Sequence, residues 1–176
     1  YNNGDGTTPA ALTVTDYVLA GVTGVSAANL AAVNAQVLAQ ATGGADTTPK
    51  VQALVTAANT AIAKLELYNN GDGTTPAALT VADYEAAGVT GVSAANLAAV
   101  NAQVLAQAAG AADTTAEVQA LVTTANTAIA KLELYNNGDG TTPAALTVTD
   151  YALAGVTGVS AANLAAVNAQ VLAQAA

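Results

Sequence analysis

Tyr68-Asn69-Asn70-Gly71-Asp72-Gly73-Thr74-Thr75-Pro76, running on to Asp83-Tyr84, is the stretch from which the rest of the chain is read. The same motif opens at Tyr1 and again at Tyr135, so the chain repeats every 67 residues. A fixed period of that size marks an array rather than an ordinary domain. It divides the 176 residues into repeat 1 at 1–67, repeat 2 at 68–134 and a partial repeat 3 at 135–176. A unit of 67 residues is near the lower end of what folds alone, so neighbouring units are expected to support each other.

Between these motifs the chain is built of Ala, Val and Leu, with Asn, Gln and Thr as polar partners, and it has no Phe, Trp, Met, Cys or His. Such an interior fills space only if helices approach closely, toward the short end of the roughly 8–10 Å packing range. The formal charge of -9, with three Lys as the only basic residues, argues against nucleic acid, which needs clustered cations on phosphates. It argues equally against an anionic membrane surface. The missing cysteines fit an exported chain without disulfides and a cytosolic one alike. No apolar run reaches 18 residues, so a soluble segment without membrane insertion is expected, with any export signal lying outside it.

Each repeat reads as three helices, which makes the expected fold class all-α, a tandem array of three-helix units. The first is short, about Val14–Ala20, capped by Thr13, stapled by Leu12 against Tyr17 and ended by Gly21. The second is expected to begin with Ser26 as its cap and to carry Leu30, Val33, Val37 and Ala41 on one stripe. Leu38 widens that stripe, and Thr42-Gly43-Gly44 stops the helix. The third, from Pro49 to Leu67, presents Val51, Leu54, Val55, Ala58, Ile62 and Leu65. Its proline sits at the first helical position after Thr48, whereas in repeat 2 the start reads as a capping box, Thr114 to Glu117. Leu121 is expected on the buried stripe of that second long helix, with Gln119 off it. The long helix is further expected to pack on both sides, against the second helix of its own repeat and the first helix of the next.

One constellation carries chemistry. Asn70-x-Asp72-Gly73 lies between a long helix and a short one, where an EF-hand-like loop would offer oxygen ligands at alternate positions. Asn70, Asp72 and the Thr74 carbonyl, with Glu66 or Asp83 as the nearest acids, form a candidate calcium site. Asn137, Asp139, Thr141, Glu133 and Asp150 repeat it. The match to that loop is incomplete, since Tyr68 and Leu79 occupy its first and last ligand positions. The rival account needs no metal: Asn-Gly and Asp-Gly form turns, and Asp83 three residues after Thr80 suits a helix start. Calcium junction and plain turn both stand at this point. The six tyrosines read as core plugs at the unit boundaries. Without His or Cys there is no triad and no zinc site, and the glycines lack the strand and lysine of a phosphate loop.

The segments YNNGDGTTPAALTVADY, AGVTGVSAANLAAVNAQVLAQA and AEVQALVTTANTAIAKLEL resemble, over the whole chain, the helical tandem repeats of very large bacterial surface proteins of the RTX-adhesin type. The resemblance implies export to the cell surface, an extended stalk and adhesive modules elsewhere. Repeats 1 and 2 differ at only eight positions, which is also what a consensus design would show. An enzyme has no need of one site copied three times, so no catalysis is expected. The expected work is spacing, with neighbouring repeats as partners and an end-to-end contact with another copy at the broken C-terminal unit. The competing expectation is a helical module binding a sugar or a protein, which predicts a concave pocket recurring once per unit.

Overall fold

In a computed structural model, residues 10–69, 77–136 and 144–174 are described, and they form helices with no strand among them. In chain order these are α1 (Val14–Leu19), α2 (Leu30–Leu38), α3 (Thr48–Tyr68), α4 (Val81–Ala86), α5 (Leu97–Leu105), α6 (Thr115–Tyr135), α7 (Val148–Leu153) and α8 (Leu164–Leu172). The protein is all-helical, and short, medium and long helices recur in that order. Six expected ligand residues, Asn70, Asp72, Thr74, Asn137, Asp139 and Thr141, lie outside the described residues.

The short helices start on capping boxes. The Thr13, Thr80 and Thr147 hydroxyls accept from the backbone N–H of Asp16, Asp83 and Asp150, whose carboxylates accept from the threonine N–H in return. Two orphan amide donors are satisfied at each start. Each short helix ends on a glycine at φ 73 to 77°. The valine after it returns a hydrogen bond to the buried tyrosine, as in Val89 N–H to the Tyr84 carbonyl at 2.9 Å. That is a Schellman closure, and its hydrophobic contact is the burial of Val22 and Val89 themselves.

The second helix departs from expectation at both ends. Ser26 does not cap it. Instead the Asn29 side chain accepts from the Ser26 N–H at 2.7 Å, closing a tight turn, and the helix begins only at Leu30. Asn29 also donates to the Gly24 carbonyl and to Asn59 of α3, so its tertiary bonds set this entry. At the other end the helix stops at Leu38, before Ala41, and both Leu38 and Ala41 are exposed. The start of α3 also differs by one residue: Thr47 is the cap, Pro49 is second, and the Thr48 hydroxyl donates to the Ala20 carbonyl at 2.9 Å. The Thr114–Glu117 capping box forms as expected.

Among the described residues three apolar clusters make the interior. Tyr17, Val22, Val33 and Val37 pack with Val55 and Ala58 of α3. Ala61, Leu65 and Tyr68, farther along the same helix, pack with Leu79, Tyr84, Val89, Val100, Val104 and the start of α6. Tyr135 and Leu132 of α6 then join Leu146, Tyr151 and Val167. Ile62 borders the first two clusters. Each long helix thus gives its first half to one core and its second half to the next, in contact with α2 and α4 for α3 and with α5 and α7 for α6. The buried tyrosines are satisfied: Tyr17, Tyr84 and Tyr151 donate to Asn34, Asn101 and Asn168, which donate onward to the Leu12, Leu79 and Leu146 carbonyls. Within α6, Val118 and Val122 are the buried residues, and Leu121 is only partly so. Gln119 is no spectator, because its amide exchanges hydrogen bonds of 2.8 and 3.0 Å with the Thr90 backbone.

The glycines that end α1, α4 and α7 share one backbone conformation but not one neighbourhood. A Cβ on Gly88 would lie 2.7 Å from the backbone of Ala32, and one on Gly155 2.6 Å from the Cα of Ala99. On Gly21 it would meet only the Thr48 methyl, at 3.9 Å. Gly21→Ala should therefore cost about 1–2 kcal/mol, the left-handed strain alone. Gly88→Ala should cost clearly more in the same urea melts, because α2 and α4 must also separate. Equal losses would show that the close approach contributes nothing.

Candidate functional site

The chemistry-bearing side chains of this chain gather at the joints between repeats. Lys64 on α3 reaches Asp83 at the start of α4, and Lys131 reaches Asp150 at 2.7 Å. Asp83 and Asp150 thus hold a lysine on one carboxylate oxygen and the capping threonine on the other. Burial opposes the charge of Asp83, yet the bonds from Lys64 and Thr80 outweigh it and hold the carboxyl below its ordinary range. For Asp150 the Lys131 bond, with those from Thr147, brings the pKa down to about 2.

Glu66 does not join this cluster. It stands two residues beyond Lys64, roughly 200° around a helix of 3.6 residues per turn. There it is exposed and lines a cleft with Asn29, Asn59, Asp113 and Thr114. Glu133, its copy, is exposed as well. The fold therefore places Glu66 and Asp83 on different sides of α3 instead of drawing both toward one loop. Among the described residues, no group of three or more acids, His or Cys lies close enough to hold a metal ion. In the cleft, a hydrogen bond with Glu117 raises the Asp113 carboxyl, while Glu117 is lowered by Thr114 first and Asp113 second. In repeat 1 that position is Lys50, which pairs with Asp46 at 2.7 Å instead.

Polar bonds extend the joint. Gln36 of α2 donates to the Ala86 carbonyl at 2.9 Å, and Gln103 of α5 to the Leu153 carbonyl at 3.2 Å. Asn69, 3% exposed, donates to the Val104 and Gln107 carbonyls, and Asn136, with its amide turned the same way, to those of Val171 and Gln174. Neither the glutamines nor the close glycines could be singled out in the sequence, because their copies in the end repeats carry the same letters. The lysines gave a signal: two of only three sit at the same place in successive repeats.

One groove of repeat 1 is filled at the corresponding place in repeat 2. That groove, of about 410 Å³, is lined by Leu12, Asp16, Ala20, Ala45, Thr48 and Val51 over a floor of Tyr17, Val22 and Val37. In repeat 2 the corresponding Leu79, Ala87, Ala112 and Val118 are buried, in one cluster with Leu65 and Tyr68 of α3. At the opposite end, Leu172 of α8 is exposed and Val171 is half-buried. Among the described residues no helix is long and apolar enough to cross a membrane. Comparison with family models, with curated proteins and with solved structures finds no match.

The depressed carboxyls set a pH dependence. A folded pKa below the ordinary 3.8 means that the pair's stabilisation is complete above about pH 4 and is lost as pH falls toward the folded value, about 2 for Asp150. The wild-type melting temperature should fall through that window. Lys64→Met combined with Lys131→Met should fall less steeply there, because its aspartates keep only their threonine bonds. Parallel curves would remove the ion pairs from the account.

Proposed function

We propose that the chain is a structural spacer, an array of three-helix repeats stacked along one axis by long helices that each belong to two cores. Its setting is the stalk of a repetitive bacterial surface protein, outside the cell, where it holds another module at a distance. The observation that carries this proposal is the division of α3 between two apolar clusters. A helix anchored at both halves resists bending between units, which is what a stalk needs and what a catalyst or receptor does not. A recurring ligand pocket would favour a binding module, but among the described residues the repeat-2 counterpart of the repeat-1 groove is filled by apolar side chains. The chain carries no catalytic role in this account.

Stiffness is the tested quantity. Leu65 is fully buried in the second cluster, while Leu67 on the same helix is 57% exposed. Leu65→Ala should cost about 2–5 kcal/mol, the usual range for an emptied leucine site. Leu67→Ala should change stability by less than about 0.5 kcal/mol. Chains with one, two or three further copies of the 67-residue unit should lengthen by a constant increment in small-angle scattering. An increment that shrinks with each added copy would mean beads on a flexible string.

Calcium enters this proposal as a stiffener of the loops at Asn70–Thr74 and Asn137–Thr141. With Asp83 and Asp150 committed to lysine and threonine, the metal would rest on Asp72 and Asp139 with their neighbouring oxygens. A rise in melting temperature with millimolar calcium should disappear in Asp72→Ala combined with Asp139→Ala. A wild-type melting temperature indifferent to both calcium and chelator leaves these loops as turns.

A further inference from the structure

Residue 50 is a lysine and its copy, residue 117, is a glutamate, which turns a positive charge into a negative one inside a turn whose shape is kept. In repeat 1 the Lys50 ammonium lies 2.8 Å from the Gly43 carbonyl and 2.7 Å from Asp46 Oδ1. Those two oxygens seat a cation, and the chain supplies it. Repeat 2 holds the same turn. Gly43 and Gly110 have φ of 80 and 78°, and the amide after each closes back on Ala41 and Ala108 at 2.8 and 3.0 Å. The Asp46 and Asp113 carboxylates face those glycines alike, 3.6 and 3.9 Å from where a Cβ would stand.

The chain's other two lysines, Lys64 and Lys131, are held by Asp83 and Asp150, so among the described residues no ammonium replaces that of Lys50. Glu117 adds a second carboxylate in its stead. One of its oxygens accepts from the Thr114 N–H and hydroxyl. The carboxyl also comes within hydrogen-bond reach of Asp113, which holds its proton more tightly as a result. Two carboxylates that close repel each other unless a positive charge stands between them. Glu66, on α3 of the preceding repeat, lines the same cleft as Asp113, so negative charge enters from both sides of the joint. Asp113 and Glu117 are half-buried, which leaves them open to ions from solvent. The donors are all oxygens, two carboxylates and a carbonyl, and hard divalent ions take such a set with water completing the shell.

We propose that the turn at 110–117 binds a hard divalent cation of calcium's class, held by the Asp113 and Glu117 carboxylates and the Gly110 carbonyl, where repeat 1 seats the ammonium of Lys50. The site is separate from the loops at 70–74 and 137–141 and does not rest on calcium binding there. Its position gives it a mechanical consequence. The cleft is walled by α3 of repeat 1 and by the turn ahead of α6, so the cation offsets the repulsion between Glu66 and that turn and braces the joint. Repeat 1 carries its brace as a side chain, and repeat 2 takes one from solution.

The test is calcium chloride titrated at pH 7 into the 176-residue chain, read by backbone amide chemical shifts. Saturable shifts are expected at 110–117, with a Kd of about 0.1–1 mM, the class of extracellular calcium modules. Residues 43–50 should stay still, because the Lys50 ammonium already sits there. Glu117→Gln keeps an oxygen for the Thr114 cap and should weaken binding by at least about 10-fold, through the lost charge. Glu117→Lys should abolish it, and the reciprocal Lys50→Glu should create calcium-dependent shifts at 43–50. The proposal is overturned if 110–117 shows no saturation by about 10 mM calcium, beyond the weakest of that class. Shifts of equal size at 43–50, or the same shifts from sodium chloride at equal ionic strength, overturn it too, as does undiminished binding by Glu117→Lys. If calcium leaves the turn unmoved while acidification to about pH 4 shifts it, the two carboxyls share a proton and the cation site falls. Shifts confined to the loops at 70–74 and 137–141 sink this site and leave the calcium reading of those loops standing, and shifts at 110–117 alone do the reverse.

Discussion

A helix of 21 residues, roughly 30 Å long, presents more apolar surface than its own two short companions can cover. That excess is the constraint on which this molecule depends. α2 spans nine residues and α1 six, and together they bury Val55 and Ala58 but leave Ala61, Leu65 and Tyr68 to the following repeat. Covering them requires the next α4 and α5 to lie against the same rod. The repeat period in the sequence and the two-core helix in space are one fact seen at two levels. A unit of this size buries a modest fraction of its surface alone, so the borrowed half-helix supplies what the unit lacks.

Small side chains make the sharing possible. With no Phe, Trp or Met, cores of Ala, Val and Leu close only at short range, and the chain reaches that range where Gly88 meets Ala32 and Gly155 meets Ala99. A glycine there serves two ends at once: it adopts the positive φ that stops the short helix and removes the Cβ that would hold α4 off α2. Gln36 and Gln103 then tie the short helices' last carbonyls, which a helix end leaves unsatisfied. Buried Asn34, Asn101 and Asn168 donate to the loop carbonyls ahead of each short helix, while their own side-chain oxygens accept from the tyrosine hydroxyls. Every one of these bonds recurs at the same offset, so an error at one joint would be an error at all.

Local chemistry was legible in the sequence, and tertiary chemistry was legible only where it left a periodic mark. The Thr114–Glu117 box and the Gly21 stop depend on residues within four positions, and both form where the sequence placed them. The packing of α3 on both sides could be anticipated because its apolar stripe runs past Ile62 without a break. Ser26 was misjudged because the bonds that decide that turn come from Asn29 and, through it, from Asn59 thirty residues away. The bonds of Gln119 were hidden for the same reason, since Thr90 lies in another loop. The groove was invisible, because Leu12 and Leu79 are the same letter and differ only in what lies above them. The separation of Glu66 from Asp83 follows from helical phase about α3.

If the long helix couples successive cores, a wound in one core should be felt in the next. Native-state hydrogen exchange of the α5 amides in Val33→Ala measures this directly, since Val33 is fully buried in the first cluster and lies outside the second. Shared long helices predict that protection falls in α2, along the whole of α3, and measurably in α5. Loss confined to α2 and the first half of α3, with α5 exchanging as in the parent chain, would contradict the account and leave the repeats as independent units.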